Sequence, residues 1–332
     1  YRGVVFATGT PVANSMAELY TMQRYLQYNM LQEHGLESFD AWASTFGETT
    51  TAMELTPEGN GFRLKTRFSR FYNLPELMTL FKEVADIQTA DMLQLPTPNM
   101  HKEVISVPAT NEQKDMIKAL GDRAEDIRNR KVDPHIDNML KITNDGRKLA
   151  LDQRIINPLL PDNPNSKVNA CVDNIYRIWK EYKDENLTQI MFCDLSTPNG
   201  KNEFNVYDDI KMKLIAKGIP EEEVEHIHIA KTEKQKQDLF SKVRQGKVRV
   251  INGSTSKMGA GTNIQDRLVA LHDLDCPWRP RDLEQRHGRI ARQGNLNSEA
   301  SIYTYVTEGT FDSYLYQTIE KKQTFISQVF TS

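Results

Sequence analysis

Gln285–Gly294 reads QRHGRIARQG, and the reading of these ten residues decides what the rest of the chain is taken to be. On a helix of about 3.6 residues per turn, Leu283, His287 and Ile290 share one face while Gln285, Arg289 and Arg292 share the opposite one. The apolar face predicts an anchor and the polar face a presenting surface. A guanidinium stays charged, and its planar fork of donors matches phosphate oxygens, so two arginines and a glutamine on one stripe suit a triphosphate. Gly288 is placed to let another backbone approach, and Gly294 to end the helix. Arginines at this spacing also describe a solvated basic surface helix, so the neighbouring sequence has to decide.

Together with Arg279 and Arg281 immediately upstream, Arg286, Arg289 and Arg292 are offset only by Asp282 and Glu284, a local basic patch in a chain whose formal net charge is −3. A nucleic-acid surface is therefore expected as a patch and not as a general polycation. Before it, the apolar run VRVIN leads into Gly253-Ser-Thr-Ser-Lys-Met-Gly-Ala-Gly-Thr-Asn263. Glycines after a strand free backbone N–H groups for an oxygen ligand, while Ser254, Thr255 and Lys257 are suited to a phosphodiester. A dinucleotide fingerprint needs a further glycine at Ile264, and that reading fails there.

From Lys167 onward the chain alternates. Val168, Val172, Ile175, Trp179 and Tyr182 mark one helix face, and strands are expected at Gln189–Cys193, Glu225–Ile229, Val248–Asn252, Leu268–His272 and Ser301–Tyr305, with helices at Val206–Lys217, Thr232–Gln245 and from Thr310 to Ser327. That order predicts an α/β fold with a parallel sheet and ligands at its carboxyl edge. Residues 31–165 read differently, as a mostly helical region. It includes helices at Leu74–Ala85, from Thr110 with a Thr110/Gln113 capping box, and at Arg147–Ile156. It also holds a hairpin, MELTPEGNGFRLKTRF, turning at Pro57, Gly59 and Gly61, in which Lys65, Arg67 and Arg70 interleave with Phe62, Phe68, Phe71 and Tyr72. That mixture suits either a nucleic-acid backbone or plain aromatic packing. At the start, Val4–Ala7 has the character of a buried strand, followed by Thr8-Gly9-Thr10-Pro11 and a helix with Ser15 and Glu18 as a capping box.

These segments together resemble the superfamily-2 helicases and translocases, in the form used by Swi/Snf-like DNA translocases. QRHGRIARQG resembles the family's last motif, Q-x-x-G-R-x-x-R; Ser254–Asn263 resembles its fifth, with Met258 in place of one glycine; ATGTPVANSMAEL resembles its third. HDLDCPWRPRDLEQR is similar to the D-x-x-W-N-P passage, with Arg279 for asparagine, and LALDQRIINPLLPD to the L-x-x-L-R-x-x-x-N-H-P-x-L segment, without its histidine. Where relatives carry a basic L-R-R-x-K element this chain has Ile87-Gln-Thr-Ala-Asp91, which puts that element's DNA contact in doubt.

The resemblance implies a RecA-like sheet, with the tail of a first lobe at 1–30, the helical insertion at 31–165 and a second lobe at 166–332. It implies Arg289 and Arg292 as arginine fingers on ATP, with Gln285, Gly259, Gly261 and Asn263 at the nucleotide; Ser254, Thr255, Lys257, Trp278 and Arg279 on the DNA backbone; and Thr8, Gly9 and Thr10 as the coupling segment. ATP and Mg²⁺ would be bound mainly by a first lobe, because no G-x-x-x-x-G-K-[ST] loop occurs in the 332 residues. The implied partners are duplex DNA and the remainder of a longer polypeptide, in which the protein is a DNA-dependent ATPase and this stretch alone is inactive. Large bacterial mobile-element proteins that join a DNA methylase to such a translocase are one context. Asn157-Pro158-Leu159 resembles the methylase N-P-P-[YF] motif but lacks its second proline and its aromatic. The alternative is a module of the same fold that binds nucleic acid or acts as a scaffold without hydrolysis.

Composition agrees with a globular protein, at 39% hydrophobic and 26% charged. Three scattered cysteines, Cys171, Cys193 and Cys276, form no paired motif, so neither disulfide framework nor zinc site is expected and a reducing, cytoplasmic setting is. His226 and His228 would share a strand face as potential metal ligands, but no third ligand accompanies them and a structural role is expected. No apolar run approaches the roughly 20 residues of a membrane span, so no membrane partner is expected.

Overall fold

The computed structural model describes residues 3–8, 12, 16–55, 62–88, 90–93, 95–198, 203–258 and 262–330, with the backbone alone for 16, 50, 52–55, 62–70, 90–91 and 324–330. The strands are β1 (Gly47–Leu55), β2 (Phe62–Phe71), β3 (Asn99–Val107), β4 (Thr188–Phe192), β5 (Val224–His226), β6 (Val250–Gly253), β7 (Leu268–Asp273) and β8 (Glu299–Thr307). The last six form one all-parallel sheet in the order β3-β8-β7-β4-β6-β5, with helices in the crossovers. This is the α/β architecture with a parallel sheet that the alternating pattern predicted, and it agrees with the RecA-like sheet the resemblance implied. Its central strands β4 and β7 are buried along their whole length, with apolar middles and the buried polar residues Thr188, Gln189, His272 and Asp273 at their ends.

Period-two alternation divides the core between the two sheet faces. Met191, Val250, Tyr303 and Tyr305 pack on Val168, Ile175, Ile210 and Leu214, while Ile190, Phe192, Ile251 and Leu271 pack on Leu239, Phe240, Val243 and Ile290. The helix Lys167–Glu181 starts where Ser166 accepts a bond from the Asn169 amide and buries the stripe Val168, Val172, Ile175 and Trp179. At β5 the expected strand Glu225–Ile229 is cut short after His226, and Ile227–Ile229 turns as a 3₁₀ helix.

The sixth strand comes from the 31–165 region. β3 lies against β8 in parallel register, Asn99 opposite Glu299 and Val107 opposite Thr307, and forms the sheet's edge. The helix Asn111–Arg128 after it has both bonds of the Thr110/Gln113 capping box. The helix expected at Arg147–Ile156 instead runs Met139–Leu151, because Asp152 leaves helical geometry (φ −160°, ψ 128°) and caps the Gln153–Ile155 turn with its own carboxylate. A separate apolar cluster, including Val12, Leu19, Trp42, Phe46, Leu77 and Phe81, packs the earlier helices. β1 and β2 form the expected antiparallel hairpin, with its turn and the Ser15 cap outside the described residues.

One expectation fails outright. Val4–Ala7 is not a buried strand; it has no regular structure, and Val5 is 87% exposed. A buried strand needs ladder partners on both edges, and among the described residues no strand pairs with it. None of the described helices is long and apolar enough to cross a membrane.

The buried His272 makes stability depend on pH. Gln189 donates its amide to the Ile175 carbonyl, which turns its Oε1 toward His272 Nε2–H (3.0 Å), while His272 Nδ1 accepts from the Tyr305 hydroxyl (2.9 Å). That arrangement fits the neutral ring, and burial pushes its pKa down to about 3. The unfolded chain, with an ordinary histidine near 6.5, then binds a proton that the folded chain does not. Stability is therefore full above pH 6.5 and falls, by roughly 1.4 kcal/mol per pH unit from this group, as the pH drops toward 3. Denaturant midpoints measured between pH 7.5 and 5 should decline, and His272→Gln should flatten that decline.

Candidate functional site

The helix predicted through Gly294 is shorter. It runs Pro280–His287, with proline in its first turn, and ends at Gly288. Beyond it the chain folds back in tight turns, Arg289 N–H bonding the Arg286 carbonyl, Ile290 the His287 carbonyl and Arg292 the Ile290 carbonyl. Arg289 and Arg292 thus lie after the helix and not along its face. What brings them together is Ile290, fully buried between them, which pins the turn to the core. Both guanidinium groups donate through Nη1 to the Thr262 carbonyl, at 3.1 and 3.5 Å.

Gly288 and Gly294 also act differently from expectation. A Cβ on Gly288 would lie 3.2 Å from the Glu284 carbonyl, so the close neighbour is the end of its own helix and not another segment. Gly294 has a φ of +91° and closes the turns after Arg292, well past the helix end.

Thr262, Asn263, Gln285, Gly288, Arg289 and Arg292 line one open cleft of about 340 Å³. Four of the expected nucleotide-facing residues, Gln285, Asn263, Arg289 and Arg292, therefore share one space. Gly259 and Gly261 lie outside the described residues. Burial, and then the charge of Arg292, lowers the pKa of the Arg289 guanidinium. Two cations held this close in a half-buried cleft create a strong local preference for an anion. The lining contains two guanidinium groups and two side-chain amides but no carboxylate, so its donors fit phosphate oxygens and do not fit Mg²⁺.

Arg286, which the sequence places in a basic patch, is 0% exposed and is the centre of a buried ion-pair cluster beside the cleft. Its Nη1 donates to Asp273 Oδ1 (3.1 Å) and the Asp275 carbonyl (2.7 Å), its Nη2 to Asp194 Oδ2 (2.8 Å) and Asp275 Oδ1 (2.9 Å), and its Nε to the Thr255 hydroxyl (2.8 Å). The guanidinium also lies over the Phe192 ring. His287 Nε2 donates to the other Asp273 oxygen at 2.7 Å. Burial pushes the Asp273 carboxyl up, but His287 and Arg286 outweigh it and hold the pKa below the usual range. At Asp275 burial prevails over Arg286 and the pKa is raised.

Spacing narrows the choice to Arg286 or His287 without deciding it. Arg286 lies three residues after Leu283 and four before Ile290, on the same buried stripe. His287 satisfies the same periodicity equally well, so only the acids at the ends of β4 and β7 distinguish the two.

Three of the residues expected to face the DNA backbone, Ser254, Thr255 and Lys257, follow β6, the last two in the short helix Thr255–Met258. Ser254 is buried, with its hydroxyl 3.1 Å from that of Ser256, and Lys257 is exposed. Thr255 has its amide and hydroxyl both directed to Asp194, at 2.6 and 2.9 Å. Arg279 is exposed at the start of the Pro280 helix. Trp278 is 44% exposed, with one face under the Arg147 guanidinium at 4.8 Å and an edge-on contact to Phe311. Thr8 is exposed in irregular chain, and Gly9 and Thr10 lie outside the described residues. His226 is buried edge-on to Tyr207 with its pKa pushed down by burial to about 4, as befits a neutral core residue.

Comparison with known proteins places two family models on the chain. Residues 172–294 match the helicase conserved C-terminal domain, and residues 2–89 match a probable helicase domain. A curated relative, the defense against restriction protein B of Escherichia phage P1, is 33% identical over 76 residues, which span 23% of this chain and 3% of that protein. Similar solved structures include the C-terminal part of the Fun30 ATPase domain, at 13% identity and a TM-score of 0.45 over 71% of this chain and 98% of that one. Another is the DUF1998 helicase MrfA bound to DNA, at 14% identity and a TM-score of 0.34 over 46% of this chain and 20% of that one.

Proposed function

We propose that this chain, whose residues 172–294 carry a helicase conserved C-terminal domain, supplies the second lobe of an ATP-dependent DNA translocase of the Swi/Snf-like kind. The observation that carries the reading is the convergence of Gln285, Asn263, Arg289 and Arg292 on one cleft. A triphosphate held by a first lobe would present its terminal phosphate there. The two guanidinium groups would then neutralise charge developing on the transferring phosphoryl group, in positions fixed beforehand by Ile290 and Thr262. Mg²⁺ would have to be held outside this cleft, whose lining offers no carboxylate. Closing and reopening of the two lobes would move duplex DNA along a track that includes the exposed Lys257 and Arg279, since work requires two states that ATP biases.

DNA binding by the chain itself should be weak, tolerant of sequence and sensitive to salt. Its candidate contacts are hydroxyls and cations suited to phosphates and not to base edges. With two or three cations at the backbone, Lys257, Arg279 and Arg281, affinity should fall about ten- to forty-fold between roughly 50 and 200 mM salt. A titration by fluorescence anisotropy checks this, with Lys257→Ala and Arg279→Ala each weakening binding to all duplexes alike. Salt-independent binding, or strong preference for one site, would overturn the assignment of this loop to the DNA backbone.

A further inference from the structure

Of the three carboxylates around Arg286, two are fixed and one is reachable. Asp273 and Asp275 are buried, and Asp275 is further tied to the amides of Asp194 and Leu195 at 2.7 and 3.0 Å. The Asp194 side chain is 28% exposed. It accepts the Thr255 amide, the Thr255 hydroxyl and the Arg286 Nη2. Those are an N–H, an O–H and a guanidinium converging on two anionic oxygens, the set of donors a phosphodiester also takes. The single Thr255 O–H is committed, donating to Asp194 while the oxygen accepts from Arg286 Nε.

We propose that Asp194 and Thr255 form a positioning relay, through which a DNA phosphate at the loop after β6 re-aims Arg286 and with it the arginines of the nucleotide cleft. A phosphate oxygen that engages the Thr255 amide or hydroxyl competes with Asp194 for the same donors. As Asp194 gives way, Arg286 loses or lengthens its bonds to Asp194 and to Thr255, while those to Asp273 and Asp275 persist and set the direction in which it relaxes. The Arg286 carbonyl holds the Arg289 amide at 3.0 Å in the first turn after the helix, so a shift at Arg286 is passed to the segment bearing Arg289 and Arg292. Because Ile290 is pinned in the core, the segment pivots there and does not drift as a whole. This inference rests on the reading of Ser254–Lys257 as a phosphodiester contact, and it adds the route by which that contact reaches the nucleotide side.

The test is nuclear magnetic resonance of the full chain, following arginine Nε–Hε signals and the Ser256 and Lys257 amides while a short duplex DNA is added. The relay predicts that the Arg286 Hε signal, from a group DNA cannot touch, shifts with the same saturation as the loop amides. In Asp194→Asn, a position outside the residues assigned to the DNA backbone, the loop amides should still shift while the Arg286 response is lost, and Asp194→Glu should restore part of it. Loop amides that shift while Arg286 stays unmoved in the unaltered chain would overturn the relay and leave the DNA contact standing. No shift at either place would overturn both.

Discussion

Arg292→Lys, and likewise Arg289→Lys, lowers DNA-saturated ATP turnover by about 10³-fold or more when the chain is joined to a phosphate-loop lobe, with DNA affinity nearly unchanged. Lysine keeps the charge but not the fork, so it can meet one phosphate oxygen where arginine meets two. The geometry makes the loss severe at both positions. Each guanidinium spends one nitrogen on the Thr262 carbonyl, which orients its remaining donors into the cleft, and a flexible ammonium has no second arm to do both. An arginine finger contributes on the order of 10³ to 10⁵ in turnover, whereas an exposed ion pair is worth about 0 to 1 kcal/mol. Steady-state hydrolysis at saturating DNA separates the two readings by orders of magnitude. Near-normal turnover in both variants would return Gln285–Gly294 to a basic surface segment and would favour a module that does not hydrolyse ATP.

Arg286→Met destabilises the fold itself, by about 3–5 kcal/mol at neutral pH. It removes the cation that compensates Asp273 and Asp275 in the interior, and an uncompensated buried charge costs that much. The size of the methionine side chain limits any cavity, so the loss reports electrostatics more than packing. The cost should shrink as pH falls. Burial already raises the Asp275 pKa, and without Arg286 that carboxyl takes up a proton more readily and so ceases to be an unpaired charge. Denaturant midpoints at pH 7.5 and 5.5, with exposed Arg281→Met as the control, check both claims. A loss no larger than that of Arg281→Met, which a surface change should keep within about 0.5 kcal/mol, would remove Arg286 from the centre of the cluster.

Both variants touch residues that look alike in sequence, arginines a few positions apart in one basic stretch. Arg289 and Arg292 could be singled out in the sequence by their glutamine and the glycine-rich segment upstream. The helical spacing used to pair them ends at Gly288, however, and only the turn after it places them on one cleft. Arg286 could not be singled out. Its partners Asp194, Asp273 and Asp275 come from the ends of β4 and β7, and their convergence on one guanidinium follows from strand order, which local periodicity does not encode.

What the sequence alone determined is what short range controls. Buried parallel strands keep an apolar stretch, so β4, β6 and β7 were readable to within one or two residues. Capping boxes satisfy the first amides of a helix with side chains three residues apart, so Thr110 marked its helix correctly. Only the tertiary structure decided what depends on distant partners. The β3 edge joins the sheet through pairing with β8, two hundred residues later, and Val4–Ala7, equally apolar, stays exposed because no described strand lies beside it. The arginine turn followed the same logic. Helical periodicity ended at Gly288, and the burial of Ile290, a packing event among strands and helices far apart in the chain, set where Arg289 and Arg292 point.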